Sequence, residues 1–199
     1  MKKFIIILVV LISAQTTSVM GQVSDVVNFT AILQDVLSLN VTGGQDQTAD
    51  FDTPDEYNAG IEAVGTTTIT VESTANWYLQ INANDFVDGF TNSIPINNLG
   101  VWCAATGAHA IGTEVDCSVT TLATALGLSS TDQTLLDNYV GGPGNGGDAT
   151  DNAFNLNLTM GTMQNATMNT SSIFEQVSDG TIGALGTYTT TVNLTLTAY

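Results

Sequence analysis

The amino-acid sequence predicts an all-β fold, an antiparallel β-sandwich with one short helix in a central insertion. Three observations point there. Apolar and polar residues alternate with a period of two along five separate stretches, as they do in strands with one buried face. Thr and Asn supply 31 and 17 of the 199 residues. Thr suits a pleated, half-buried surface and Asn suits turns and strand edges, which fits sheets with one wet face each. Helix signals, finally, gather in a single place.

Taken in order, residues 1–21 have the three parts of a secretory signal peptide. Lys2 and Lys3 are the charged start, Phe4–Ile12 is an unbroken apolar run of nine, and Val19 and Gly21 sit at the −3 and −1 positions of a cut before Gln22. Nine apolar residues fall short of the roughly twenty that span a bilayer. The remaining chain, 22–199, is expected to be exported as a single domain. Its first strand signal runs from Val27 to Val41, with Val27, Phe29, Leu33, Leu37 and Leu39 on one face. Ile32, Asp35 and Val36 break that register and predict a bulge or two consecutive strands. Thr67, Ile69 and Val71 mark the next strand, and Trp77, Leu79, Ile81 and Ala83 the one after. The stretch of about 100–150 loses the alternation and reads as an elaborated insertion. Within it, Ser130-Thr-Asp-Gln133 has the form of a capping box before Leu135, Leu136 and Tyr139, with Gly141 as a stop, which predicts a helix. Phe154, Leu156, Leu158 and Met160 resume the strand pattern. Tyr188, Thr190, Val192, Leu194 and Leu196 complete it, alternating with Thr and Asn.

Cys103 and Cys117 are the two cysteines. In an exported chain such a pair predicts a disulfide, closing a thirteen-residue loop worth roughly 3 kcal/mol. Zinc is disfavoured, because His109 is the sole imidazole and four ligands are needed.

Charge excludes whole classes of function. The formal net charge is −17, from 19 acidic and two basic residues. Both basic residues lie in the signal, so after its removal no Lys or Arg remains. Nucleic-acid binding then loses the cations that would neutralise phosphates, and an anionic membrane would repel the surface. Schiff-base chemistry and arginine clamps are equally excluded. So are covalent polymers or internal isopeptide bonds that need a lysine nucleophile. Any assembly must be non-covalent, and strand addition at a sheet edge is the natural route.

Little catalytic chemistry can be read from the residues. His109 stands beside no nucleophile motif, and the aromatic content of 7% is low for a glycosidase cleft built around paired carboxylates. Calcium is the single cofactor considered, with Asp50, Asp52, Asp55 and Glu56 as one candidate set and Asp148 and Asp151 as another. Gly141–Asn145 is similar to one glycine-rich calcium repeat, but a lone copy builds no stacked site. Asn-x-Ser/Thr triplets at Asn28, Asn40, Asn157, Asn165, Asn169 and Asn193 are read as products of composition rather than glycan acceptors.

Val71-Glu-Ser-Thr-Ala-Asn-Trp77-Tyr-Leu79 and Gly186-Thr-Tyr188-Thr-Thr-Thr-Val-Asn-Leu-Thr-Leu196, with Ile94-Pro-Ile-Asn-Asn-Leu99 between them, give the chain a family likeness. It resembles bacterial surface β-sandwiches of the WxL type and the spore-coat-U and pilin-like domains. The resemblance implies an immunoglobulin-like or pilin-like sandwich and a secreted structural subunit without catalytic residues. Trp77 and Leu79 are expected in the core. The expectation is thus a non-enzymatic subunit of a surface appendage, coat or matrix, self-associating or joining other surface proteins through its terminal strands. The alternative is a monomeric surface module that binds carbohydrate or protein.

Overall fold

A computed structural model describes residues 31–161 and 167–199. The chain divides into a first unit, Met1–Leu33, of which Ala31–Leu33 are described and carry no regular structure, and a second, Gln34–Tyr199, which holds every element below. The expected signal peptide, and Val27 and Phe29, lie outside the described residues.

The second unit is built from two antiparallel sheets. The five-stranded sheet has β1 (Leu37–Gly43), β2 (Ile61–Ser73), β10 (Ala153–Met160), β6 (Leu99–Ala105) and β8 (Leu126–Gly127), in that spatial order. The four-stranded sheet runs β11 (Val192–Ala198), β3 (Trp77–Ala83), β9 (Gln133–Asn138) and β7 (Val115–Asp116). A small hairpin, β4 (Phe86–Val87) with β5 (Ser93–Ile94), stands apart from both. The fold is the expected all-β sandwich.

The apolar positions face inward, as the alternation predicts. Along β3, Trp77, Leu79, Ile81 and Ala83 are all buried, and Ile69 and Val71 on β2 are fully buried. Trp77 and Phe154 meet edge to face, with ring centroids 6.0 Å apart. They sit on different sheets, so this contact fixes the sheets face to face. Burying side chains of this size is worth roughly 1.5–3 kcal/mol each.

Three sequence expectations are corrected. No helix follows Ser130. Gln133–Asn138 is strand β9, paired with β3 through Leu79↔Leu136. Leu135 and Leu136 are both buried, and tertiary pairing overrides a local capping pattern. Among the described residues two α-helices lie elsewhere: α1 (Pro54–Ala59) and α2 (Ile173–Ser178). They have genuine capping boxes, Thr53 with Glu56 and Ser172 with Glu175, each side chain capping the other's backbone N–H. Next, the stretch 100–150 is no insertion. It supplies β6 and β8 to one sheet and β7 and β9 to the other. Finally, the first strand begins at Leu37, and Ala31–Val36 are not strand. Leu37 pairs with Ser73, the last residue of β2. Beyond it Val36 bonds to Thr74, where the partner chain turns away, so no ladder remains to extend.

Candidate functional site

Of the residues expected to carry assembly, Leu37 and Leu39 on β1 and Val192, Leu194 and Leu196 on β11 fall on two sheet edges. β1 ends the five-stranded sheet and β11 ends the four-stranded one, and the two strands contact each other along one side of the sandwich. On β11, Val192, Leu194 and Leu196 pack against the core, while Asn193 and Thr195 are exposed. Tyr188 also packs on the core, but it precedes the strand, and its hydroxyl donates to the carbonyl of Ala184. On β1, Leu39 packs inward and Leu37 is half exposed. Leu33 is exposed. Neither strand contains a charged residue or a proline. Such an edge keeps a row of backbone donors and acceptors open for pairing and lacks charge and proline as guards, while a register shift between Val41 and Gly43 makes the end of β1 irregular.

Trp77 is a core residue with an unusual partner. Its backbone N–H donates to Oδ1 of Asn145 at 3.0 Å, and Nδ2 of Asn145 donates back to its carbonyl at 2.8 Å. The indole Nε1 donates to the Asn145 carbonyl at 2.7 Å. The asparagine amide thus stands in for a neighbouring strand. The Gly141–Asn145 run was read above against a calcium repeat; it serves instead to deliver this buried side chain, with Gly144 at φ 103°, a conformation open to glycine. Gly147 then bridges to Ser73.

Cys103 and Cys117 form a disulfide. Cys103 lies on β6 and Cys117 just beyond β7, so the bond links strands belonging to opposite sheets. The Cys103 N–H donates to the carbonyl of Val119 at 2.8 Å and reinforces the same crossing.

The acidic candidates are held by their own loops. Glu56 accepts from the N–H groups of Asp52 and Thr53, which hold its carboxyl below the usual range. Asp50, Asp52 and Asp55 are exposed. Asp148 accepts from the N–H of Thr150 at 2.7 Å and of Asp151 at 3.2 Å, and its pKa is lowered by them, with His109 adding a smaller electrostatic pull. Asp151 accepts from the N–H of Asp148. Among the described residues no three acidic, His or Cys side chains converge as a metal site would require. His109 pairs through Nδ1 with Oδ1 of the buried Asn152 at 2.9 Å, and its N–H donates to the carbonyl of Asp151. The imidazole therefore pins one loop to another.

Two arrangements escaped the sequence reading. Asn98 and Gln176 are buried and exchange amide hydrogen bonds of 2.9 and 2.8 Å, tying α2 to the short turn Ile96–Asn98. Near that turn lies an open cleft of about 340 Å³, formed where the chain after β3, the turn before β6 and the crossover from β8 to β9 meet. Isolated Asn, Gln and Ser residues carry no spacing signal, so neither feature could be read in advance.

The sequence matches no protein-family model and no curated protein.

Proposed function

We propose that the chain is an exported, non-enzymatic structural subunit of a bacterial surface appendage, coat or matrix, assembled non-covalently by strand pairing. The observation that carries the reading is the pair of uncharged, proline-free edges, β1 and β11, lying side by side. Open edges of seven residues each are suited to β-addition, and a second copy supplies the strand in the simplest version. The absence of Lys and Arg after residue 3 supports a non-covalent route, and the likeness to pilin-like and coat domains points the same way. The apolar positions Val27, Phe29 and Leu33 make the segment before β1 the preferred donor.

The test is electron microscopy with size-exclusion chromatography on Gln22–Tyr199, oxidised. Regular filaments or sheets are expected. Placing lysines on the exposed face of the edge, as Asn193→Lys with Thr195→Lys, should abolish them while leaving the melting temperature nearly unchanged. Deleting Gln22–Thr30 should abolish them too. A monomeric parent chain would overturn the proposal.

A further inference from the structure

We infer that Asn145-Gly146 is a conformation-gated deamidation site: closed in the folded chain, open in the unfolded one, and irreversible, because the product cannot rebuild the seat of Trp77. The inference is independent of the assembly reading.

The reaction needs only this dipeptide, a base and water. The backbone nitrogen of Gly146 gives up its proton to the base and attacks Cγ of Asn145. A bond forms between that nitrogen and Cγ, the Cγ–Nδ2 bond breaks, and Nδ2 takes up a proton and leaves as ammonia. Water then opens the five-membered succinimide at either carbonyl. One opening gives Asp, and the other gives isoaspartate, whose main chain is one methylene longer. Asparagine is among the chemically labile residues, and a following glycine favours ring closure, since it has no Cβ to crowd the attacking nitrogen and restricts the backbone least. Asn145-Gly146 is the one Asn-Gly pair among the 17 asparagines, and it lies in the run Gly141-Gly-Pro-Gly-Asn-Gly-Gly147. Once released, that glycine-rich run bends freely into the ring geometry.

The folded chain blocks each requirement. Asn145 is 0% exposed, so neither base nor water reaches Cγ. Its Oδ1 accepts from the Trp77 N–H and its Nδ2 donates to the Trp77 carbonyl, so the amide turns toward its own main chain only by breaking both bonds. The main chain is held as well. The Asn145 N–H donates to Asn76 Oδ1 at 3.2 Å, and Gly147 and Ser73 exchange N–H···O bonds of 2.8 and 2.9 Å. Gly146 is thus clamped between two anchored residues. Releasing it uncovers Trp77, which is fully buried against Phe154, so opening here is coupled to opening the core.

The same contacts make the gate one-way. Deamidation replaces an amide that donates and accepts with a carboxylate that only accepts. The Trp77 carbonyl loses its donor, and a charge falls where water does not reach it. Isoaspartate also lengthens the chain between Asn145 and the Gly147–Ser73 pair.

The disulfide-intact chain is held in mildly alkaline buffer, with and without urea above its unfolding midpoint. It is then cut with pepsin, since trypsin has no site beyond Lys3. Peptide mass spectrometry reads Asp plus isoaspartate at each asparagine, for monomer or polymer alike. In urea, position 145 should convert ahead of every other asparagine. Without urea its rate should fall by about a hundredfold or more, because the reaction passes through the open population. After urea is removed, the refolded fraction should carry Asn at 145, and the fraction that fails to refold should be enriched in Asp and isoaspartate. In Gly146→Ala the added methyl meets the Ala75 and Ser73 carbonyl oxygens at 3.3 and 3.4 Å, which a small shift accommodates. That variant should convert about tenfold more slowly in urea. Equal conversion with and without urea, faster conversion at another asparagine in urea, or a refolded fraction rich in Asp at 145 would overturn the inference.

Discussion

Asn145 shows how one side chain can decide whether a core closes. Trp77 carries a backbone donor, a backbone acceptor and an indole donor into a fully buried position, and all three bond to Asn145. Asn145→Ala removes the two amide partners and leaves the Trp77 N–H and carbonyl unmatched. At about 1–3 kcal/mol for each of the two orphaned groups, a loss of roughly 2–6 kcal/mol is expected in urea unfolding at pH 7. Asn145→Asp keeps the acceptor but loses the donor and buries a carboxylate, so it should be at least as damaging. The acid response also belongs to single residues. Glu56, Asp88, Asp148 and Asp179 are each lowered by local hydrogen bonds, chiefly from the Asp52 N–H, the Asn92 side chain, the Thr150 N–H and the Thr181 N–H respectively. A folded-state pKa below the unfolded one adds stability above about pH 4 that is lost as pH falls through the folded value. Protonation also relieves the repulsion among 19 acidic residues, and salt screens that second effect far more. Thermal melts in about 0.5 M salt should therefore show the midpoint falling on acidification below about pH 4. Asp148→Asn should flatten that acid limb.

At the scale of elements, the disulfide joins what hydrogen bonds alone join weakly. β7 is two residues long, pairing with β9 and through a single bridge from Val115 to Ile111, and β8 is equally short. Reducing the Cys103–Cys117 bond should cost roughly 3 kcal/mol by the loop-entropy argument, read as a lowered melting temperature in reductant. Short strands of this kind explain much of what sequence reading could reach. β3, β10 and β11 are seven or eight residues of clear alternation, and they were legible because their inner faces are buried and their outer faces wet. β6 is Leu-Gly-Val-Trp-Cys-Ala-Ala, flanked by β10 and β8, with four residues buried and Trp102, Ala104 and Ala105 half-buried. Its outer positions, Gly100, Trp102 and Ala104, include no polar side chain, so the period of two does not show in the sequence and 100–150 resembles an insertion. β9 was misread for a related reason: adjacent Leu135 and Leu136 are both buried, a pattern a helix shares. Val192, Leu194 and Leu196 on β11 were legible as a strand, while its place at a sheet edge came only from topology.

For the whole molecule, composition says more about partners than about shape. A chain with no cation after residue 3 can be packed against copies of itself only where charge is sparse, and β1 and β11 supply such a strip in an otherwise acidic surface. On the proposed edge pairing, assembly should be favoured by salt or by lower pH, each of which weakens repulsion between copies. Light scattering against ionic strength checks this, and loss of assembly with added salt would count against edge pairing.

The pairing of β11 with β3 has a consequence in time. Leu79 lies opposite Leu196, and β3 cannot gain its second neighbour until almost the whole chain is present. Contacts this distant in sequence make closing slow, on the order of milliseconds to seconds for all-β topologies. During that interval the inner face of β3 has no cover on its β11 side. A newly made chain would thus stay unclosed along that side of β3 until the residues of β11 had arrived.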